Sequence, residues 1–181
     1  MSTLRINKLN ENIMHYSTIT IIEWIDIFTK PEYFEIITDS LTYCRKNKGL
    51  ELYDFIIMTN HLHLIVRANE GNELSDIINS FKRHTTKKIL KQLEKDNRKY
   101  ILNLIKNSFA RKKGNDRQIW QRENCPVPIM SEKFYLEKVN YIFNNPVRKQ
   151  YVEKPEDWVY SSAGRRLYGR KCIIELDDPF A

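Results

Sequence analysis

The amino-acid sequence predicts an α+β fold, in which an antiparallel sheet carries helices on one face. Three observations predict it. Runs rich in β-branched and aromatic residues alternate with segments whose apolar residues recur at helical spacing. The 181 residues suffice for one ordinary domain with a real core. No repeat, linker or low-complexity segment divides the chain, and 41% of its residues are apolar, as in globular proteins.

The first half of the chain predicts four regular elements after a polar, loose segment at residues 1–12. They are a strand at about 15–22, a helix at 30–49, and strands at 51–59 and 61–68. Pro31 suits the first turn of the helix, and Gly49 follows its basic last turn. Thr59 and Asn60 lie near the junction of the last two strands, which predicts a tight hairpin.

The second half predicts three more elements, with a basic loop at 107–117 between the first two. They are a helix at 72–96, a strand within 118–130, and a helix at 131–145. Pro126 and Pro128 confine the strand to a sheet edge, because proline has no N–H to donate. Ser131 is an N-cap candidate, and Pro146 is expected to stop the last helix. The resulting order is the split βαββαβ pattern of ferredoxin-like sheets.

The charge balance favours a polyanionic partner. Lys and Arg together number 30 against 23 Asp and Glu, which gives a net charge of +7. Nucleic acid is the commonest polyanion that basic proteins bind, and an anionic membrane surface is the usual rival. The alternative is a protein with a basic surface and no nucleic-acid role.

Cysteine usage and hydropathy favour a cytoplasmic protein without a membrane partner. Cys44, Cys125 and Cys172 are widely spaced, and no CxxC pair is present. This pattern argues against a disulfide framework and against a structural zinc site. The N-terminal segment has no apolar core typical of a signal peptide, and no apolar run approaches the ~20 residues of a membrane span.

Two histidines flank one leucine in the fourth element. Side chains alternate between the two faces of a strand, so His61 and His63 project from one face and Leu62 from the other. Two imidazoles placed this way can bind one metal ion. The alternative is that the pair is incidental and only occupies the strand.

The last predicted helix carries a second candidate pair. Tyr141 and Asn145 are four residues apart, so they share one face of the helix. A tyrosine hydroxyl can act as a covalent nucleophile, and an amide oxygen can ligate a hard metal ion. The alternatives are a tyrosine in the core or an interface, and an asparagine that only marks the helix end before Pro146.

Three motifs, in this order and spacing, resemble those of the single-tyrosine HUH transposases. They are "MTNHLHLIV" (58–66), "YIFNNPVR" (141–148) and "KPEDWVYSS" (154–162). The sequence is most similar to REP-associated tyrosine transposases and their insertion-sequence relatives, over about residues 14–163. Thr59 departs from the proline that is usual there. The resemblance implies a transposase domain at 13–163 with a C-terminal catalytic helix, and a C-terminal tail at 164–181.

The resemblance also implies an activity. Tyr141 would attack a phosphorus of single-stranded or hairpin DNA, forming a 5′-phosphotyrosine and releasing a 3′-OH. A 3′-OH could later reseal a strand, so the reaction needs no ATP. His61 and His63 would ligate Mg²⁺ or Mn²⁺, with Asn145 as a third ligand. The enzyme would work as a monomer or a homodimer.

Basic side chains supply candidate DNA contacts on two segments. They are Lys82, Arg83, Lys87 and Lys88 on the 72–96 helix, and Arg111, Lys112 and Lys113 in the basic loop. The alternative is that both segments are simply solvated. Trp24, Trp120 and Trp158 are expected in the core, although one of them could stack on a base.

Two other functions stay open at this level. A non-catalytic or domesticated DNA-binding module on the same sheet would bind DNA without needing Tyr141 or a metal ion. A hydrolase with a histidine-bound metal and an activated water would turn over without a covalent protein–DNA adduct.

Overall fold

The computed structural model describes residues 13–110, 118–122 and 126–180. In chain order the elements are β1 His15–Thr20, α1 Pro31–Lys48, β2 Leu50–Ile57, β3 His61–Ala68, α2 Leu74–Lys95, α3 Lys99–Ala110, β4 Val127–Pro128, α4 Glu132–Phe143, α5 Asn145–Arg148 and α6 Ala163–Tyr168. Short 3-10 turns occur at Ile22–Trp24 and Pro155–Asp157. Nowhere in these described ranges is a helix both long and apolar enough to cross a membrane.

The four strands form one antiparallel sheet in the order β2-β3-β1-β4. This order and the alternation of strands with α1 and α2 confirm the predicted ferredoxin-like α+β fold. Leu62, Leu64 and Val66 of β3 are fully buried in the core that α1 and α2 cover. The two-residue period of the strand therefore turns His61 and His63 to the opposite face.

The opposite face of the sheet is partly covered by α4. Ser131 caps this helix as predicted, since its hydroxyl accepts a hydrogen bond from the Phe134 amide at 3.2 Å. Ile142 and Phe143 are buried there in a second apolar cluster, which includes Ile65 of β3. The helix that carries Tyr141 thus lies on the same face as the histidine pair.

A buried carboxylate joins this layer to the C-terminal segment. Asp54 of β2 is fully buried and accepts a hydrogen bond from the Tyr135 hydroxyl of α4. It also accepts hydrogen bonds from the Ser162 hydroxyl at 2.8 Å and from Arg166 Nε at 3.1 Å. Burial raises the pKa of Asp54, and the Tyr135, Arg166 and Ser162 contacts oppose that shift. Such a satisfied network locks α4 and α6 to the sheet.

The segment after residue 163, for which the sequence suggested a tail, packs against the domain as far as Asp177. The Asp177 carboxylate pairs with Arg45 of α1 at 2.8 Å. It also accepts a hydrogen bond from the Leu52 amide at 2.7 Å, while the Asp177 amide donates to the Leu52 carbonyl at 2.9 Å. Ile174 of this segment is buried in the main apolar core.

The end of α1 illustrates why the sequence needs glycine there. Gly49 has a φ of +70°, as expected for a residue that ends a helix in the left-handed conformation. A Cβ at this position would lie 2.1 Å from the Asn69 side-chain oxygen, so the Asn69 side chain would have to move for any larger residue.

The structure corrects two predicted helix ends. Pro146 does not stop the helical path: α4 ends at Phe143, and Pro146 lies in the first turn of α5, where its missing N–H costs nothing. Residues 107–110 belong to α3 and not to a loop, whereas residues 111–117 lie outside the described ranges. The buried pair Ile101 and Ile105, one turn apart, explains why α3 forms.

The fourth strand is shorter than its predicted segment. Among the described residues of that segment, Val127 and Pro128 form the strand that pairs with β1, at the edge of the sheet. Trp120 makes a separate bridge to Ile21. The edge position agrees with the expected effect of the prolines.

Candidate active site

The two histidines of β3 lie side by side on the face opposite α1 and α2. Their ring centroids are 4.8 Å apart and the rings are inclined by 74°. The register of the sheet places His63 opposite Thr18 and His61 opposite Thr20. Both imidazoles are largely buried.

One ring nitrogen of His63 is held by β1. Its Nδ1 lies 2.8 Å from the Tyr16 hydroxyl and 2.9 Å from the Thr18 hydroxyl. The Tyr16 ring also stacks on His63 at 5.5 Å between centroids. These contacts restrain the ring and occupy Nδ1. When Nδ1 carries the proton and donates to one of these hydroxyl oxygens, Nε2 has the free lone pair for a ligand.

The tautomer of His61 follows from its neighbour Asn60. The Asn60 amide nitrogen donates to the Trp24 carbonyl at 3.1 Å and to the Asp26 carboxylate at 2.9 Å. The Asn60 side-chain oxygen therefore faces His61, and it can only accept, so His61 Nδ1 at 2.7 Å must carry the proton. Nε2 of the neutral ring then has the free lone pair.

The Asp26 carboxylate also accepts a hydrogen bond from the Thr59 hydroxyl. Thr59 stands where the resemblance suggested proline, so a side-chain hydrogen bond here restrains the turn before His61.

Both imidazoles are biased to their neutral form. Burial lowers the pKa of His61 to about 4, and the positive charge of Lys149 adds to the effect. Burial lowers the pKa of His63 to about 3, with further contributions from His61, Arg148 and Lys138. Neutral imidazoles are the form that binds metal ions. The three cations also show that the site carries a positive field.

Tyr141 of α4 lies next to the histidine pair. Its ring centroid is 5.5 Å from that of His63 and 6.4 Å from that of Tyr16. The side chain is 44% exposed, so a substrate can reach the hydroxyl. The guanidinium of Arg148 covers the ring at 4.4 Å from its centroid. An exposed potential nucleophile therefore lies beside two largely buried potential metal ligands.

Asn145 begins α5, one turn after Tyr141. It is buried, and its side-chain amide nitrogen has no hydrogen-bond partner in the described structure. A buried amide nitrogen without a hydrogen-bond partner costs free energy. This side chain is therefore a candidate to bind a ligand. Because the two amide atoms are assigned from their surroundings, the same group can present either its oxygen or its nitrogen.

A divalent cation would have to draw its ligands from this mixed set. Within residues 13–110, 118–122 and 126–180, no three His, Cys, Asp or Glu side chains form a metal-binding cluster. The donors shown side by side are the two neutral imidazoles, so an amide, water or substrate oxygens would have to complete the coordination. This donor set fits an ion that also binds phosphate.

The predicted DNA-binding residues of α2 are not brought to the histidine pair. The apolar side of α2 packs on the opposite face of the sheet, with Arg83, Lys87 and Lys88 exposed to solvent. Lys82 instead donates a hydrogen bond to the Gln121 carbonyl at 2.9 Å, and burial lowers its pKa to about 8. Arg111, Lys112 and Lys113 lie outside the described residues.

Several site residues could not be recognised in the sequence. Tyr16 and Thr18 reach His63 only through the β1–β3 register. Arg148 lies in the "NPVR" motif, and its charge could have indicated a site residue.

The three tryptophans were expected in the core. This was wrong for Trp24, which is 56% exposed beside His61. Trp120 is buried and Trp158 packs against the core, as predicted.

Comparisons with known proteins identify the family of this chain. Residues 14–153 match the family described as IS200-like transposases. A Haemophilus influenzae protein named as a REP-associated tyrosine transposase is 30% identical over 109 residues. That match covers 60% of this chain and 56% of the relative, so it spans little more than half of the relative's length.

A solved structure shares the fold. It is a REP-associated tyrosine transposase bound to a REP hairpin, and it aligns with a TM-score of 0.63 at 17% identity. The alignment covers 93% of this chain and 88% of that one. Since the family match extends over most of the chain, the protein belongs to the IS200-like transposase family.

Proposed function

We propose that this protein cleaves and rejoins single-stranded DNA through a covalent phosphotyrosine at Tyr141, with help from a divalent cation. The observation that carries the proposal is the 5.5 Å approach of the exposed Tyr141 ring to His63. Two elements far apart in the sequence meet there, and Tyr141 is exposed and belongs to neither apolar cluster.

The chemistry follows from the phenol. The Tyr141 oxygen forms a bond to a backbone phosphorus while the bond from that phosphorus to the 3′ oxygen breaks. The phenolic proton leaves Tyr141, and the departing 3′ oxygen gains a proton. The strand is left with a free 3′-OH and a 5′-phosphotyrosine, and the reverse attack by a 3′-OH restores a continuous strand.

His61 and His63 would hold the cation through Nε2, with the Asn145 side-chain oxygen as a further ligand. Mg²⁺ or Mn²⁺ suits amide and phosphate oxygens better than zinc does. When bound, the cation would polarise the scissile phosphate and offset its developing charge.

Cationic side chains around the pair would position the substrate. Lys138, Arg148 and Lys149 are all close enough to depress the pKa values of the histidines. The same field attracts a phosphate and stabilises charge as it develops in the transition state. The site therefore favours a polyanionic substrate over a neutral one.

We also propose that the substrate contains a hairpin. The structural relative is bound to a REP hairpin, and the sequence motifs resemble enzymes that act on such DNA. A folded single strand presents unpaired nucleotides beside a duplex, so the protein can bind the duplex for affinity while the site receives a flexible, accessible phosphodiester.

The test is a cleavage assay on end-labelled hairpin DNA that carries single-stranded flanks. Wild type should cleave with Mg²⁺ or Mn²⁺ and stop in EDTA, while Tyr141→Phe should bind the DNA without cleaving it. Tyr43→Phe is the matched control, because Tyr43 is 56% exposed on α1, which packs on the other face of the sheet. Undiminished cleavage by Tyr141→Phe would show that Tyr141 is not the nucleophile. Binding without cleavage by wild type would favour a DNA-binding module.

A further inference from the structure

Trp24 occupies an unusual position at the rim of the site. It ends the 3-10 turn after β1, and its large side chain is 56% exposed. Its ring centroid lies 5.5 Å from that of His61, with the rings inclined by 70°. Four rings therefore follow one another across the face: Trp24, His61, His63 and Tyr141. The tryptophan and the tyrosine lie at opposite ends of this row.

The backbone at this point is strained. Glu23 has a φ of 51° and Trp24 a φ of 55°, in the left-handed region that bulky residues rarely adopt. Two such residues in succession cost free energy that the surroundings must offset. The strain does not serve burial, because it leaves the tryptophan exposed.

The strained turn is fixed to the histidine pair by one side chain. Asn60 donates a hydrogen bond to the Trp24 carbonyl at 3.1 Å and accepts one from His61 Nδ1 at 2.7 Å. The Trp24 amide also donates to the Ile21 carbonyl at 3.1 Å. The Trp24 backbone is thus held at a defined place relative to His61, and the indole ring contacts the imidazole.

The other two tryptophans behave differently. Trp120 is buried, and its indole nitrogen donates to the Thr85 hydroxyl at 2.9 Å. Trp158 packs against the core and donates to the Ile57 carbonyl at 3.0 Å. Both have structural roles, so among the three tryptophans of the chain the exposed one is Trp24.

We propose that Trp24 is a stacking platform for an unpaired base of the DNA strand, next to the histidine pair. An exposed indole beside a positively charged site is the usual means of holding single-stranded nucleic acid, because every base offers a π-face. The inference rests on the proposed function for the identity of the ligand. It adds a base-binding position that does not depend on Tyr141 chemistry.

Intrinsic fluorescence tests the contact directly. An unlabelled mixed-sequence single-stranded oligonucleotide is titrated into the Tyr141→Phe variant in EDTA, so that no cleavage occurs. Stacking should quench the Trp24 emission. In Trp24→Phe/Tyr141→Phe the remaining emission from Trp120 and Trp158 should not change. A fully paired duplex of the same sequence should quench far less, since its bases are not free to stack.

Affinity provides a second readout. Trp24→Leu should weaken single-strand binding by about 5- to 100-fold, whereas Trp24→Phe should retain most of it. Tyr43→Ala is the matched control: this aromatic residue of α1 is also 56% exposed, and its removal should leave the affinity unchanged. Equal thermal unfolding midpoints for the variants would show that the fold is intact.

The outcomes separate the two proposals. Tight binding with no quenching, or a Trp24→Leu variant that binds like wild type, overturns the stacking proposal alone. Quenching together with cleavage by Tyr141→Phe supports stacking and overturns the nucleophile alone. No binding to single-stranded DNA contradicts both.

Discussion

The guanidinium of Arg148 covers the aromatic ring of Tyr141, 4.4 Å from its centroid, and donates a hydrogen bond to the Tyr141 carbonyl at 3.2 Å. The contact links the first turn after α4 back to the helix. It restrains the tyrosine ring on the face shared with His63, and it places a permanent positive charge beside the phenol. The relationship has consequences that can be measured.

Removing this cation should slow cleavage. Arg148→Ala is expected to lower the single-turnover cleavage rate about tenfold or more, because both the ring position and the stabilising charge are lost. Arg148→Lys should recover part of the rate, since it keeps the charge but not the planar contact. Arg170→Ala is the control, because Arg170 covers the Tyr168 ring in the same way at 5.3 Å but on α6. An equal loss in both alanine variants would contradict a specific role.

The hydroxyl of Tyr16 should matter for metal binding although it touches no proposed substrate group. Tyr16→Phe removes a partner of His63 Nδ1 and is expected to weaken Mn²⁺ binding about 10- to 100-fold. The measurement is a Mn²⁺ titration followed by electron paramagnetic resonance, which requires no DNA. Tyr53→Phe removes a hydroxyl that donates to Glu51, away from the histidines, and should leave the affinity unchanged. Wild-type affinity in Tyr16→Phe would show that Thr18 alone orients His63.

The salt dependence of DNA binding should distinguish Lys82 from the other predicted DNA-binding residues of α2. If Arg83, Lys87 and Lys88 contact phosphates, each alanine substitution should reduce the slope of log K against log salt by about 0.7 on single-stranded DNA. Lys82→Met should leave the slope unchanged, because the Lys82 amine is already committed to the Gln121 carbonyl. A reduced slope in Lys82→Met alone would reverse this assignment.

Lys82 should also make stability depend on alkaline pH. Its folded pKa of about 8 lies below the ordinary value of 10.5, so between these values the unfolded chain binds more protons than the native one. The free energy of unfolding of wild type relative to Lys82→Met should therefore rise with pH across this window. Below pH 8 the difference should be constant. Chemical denaturation of both proteins at several pH values measures it, and a difference that falls with pH would contradict the buried environment.

Local patterns predicted much of the fold. Three predictions that depend on a few neighbouring residues agree with the structure: the order of β1 to β4 with α1, α2 and α4, the Gly49 helix end and the Ser131 cap. The helix α3 was not predicted. The short length of β4 and the second helix that contains Pro146, α5, were not predicted. Both depend on pairing and packing with distant elements.

For the site too, local patterns predicted some features and missed those that depend on distant contacts. The shared face of His61 and His63 follows from the period of a strand, and the closeness of Tyr141 came from motif resemblance and not from geometry. The contacts of Tyr16 with His63 depend on strand register, which no local pattern reveals. The exposed position of Trp24 depends on a backbone conformation that its sequence disfavours, so reasoning from propensity placed it in the core.

The most direct test of the central claim is to identify the amino acid that carries the DNA. Wild type would be incubated with hairpin DNA and Mn²⁺, the covalent complex isolated under denaturing conditions, and the DNA trimmed with nuclease before peptide mass spectrometry. We predict a nucleotide remnant on Tyr141, and no adduct in Tyr141→Phe or in EDTA. An adduct on another residue, or cleavage products without any adduct, would contradict the phosphotyrosine mechanism.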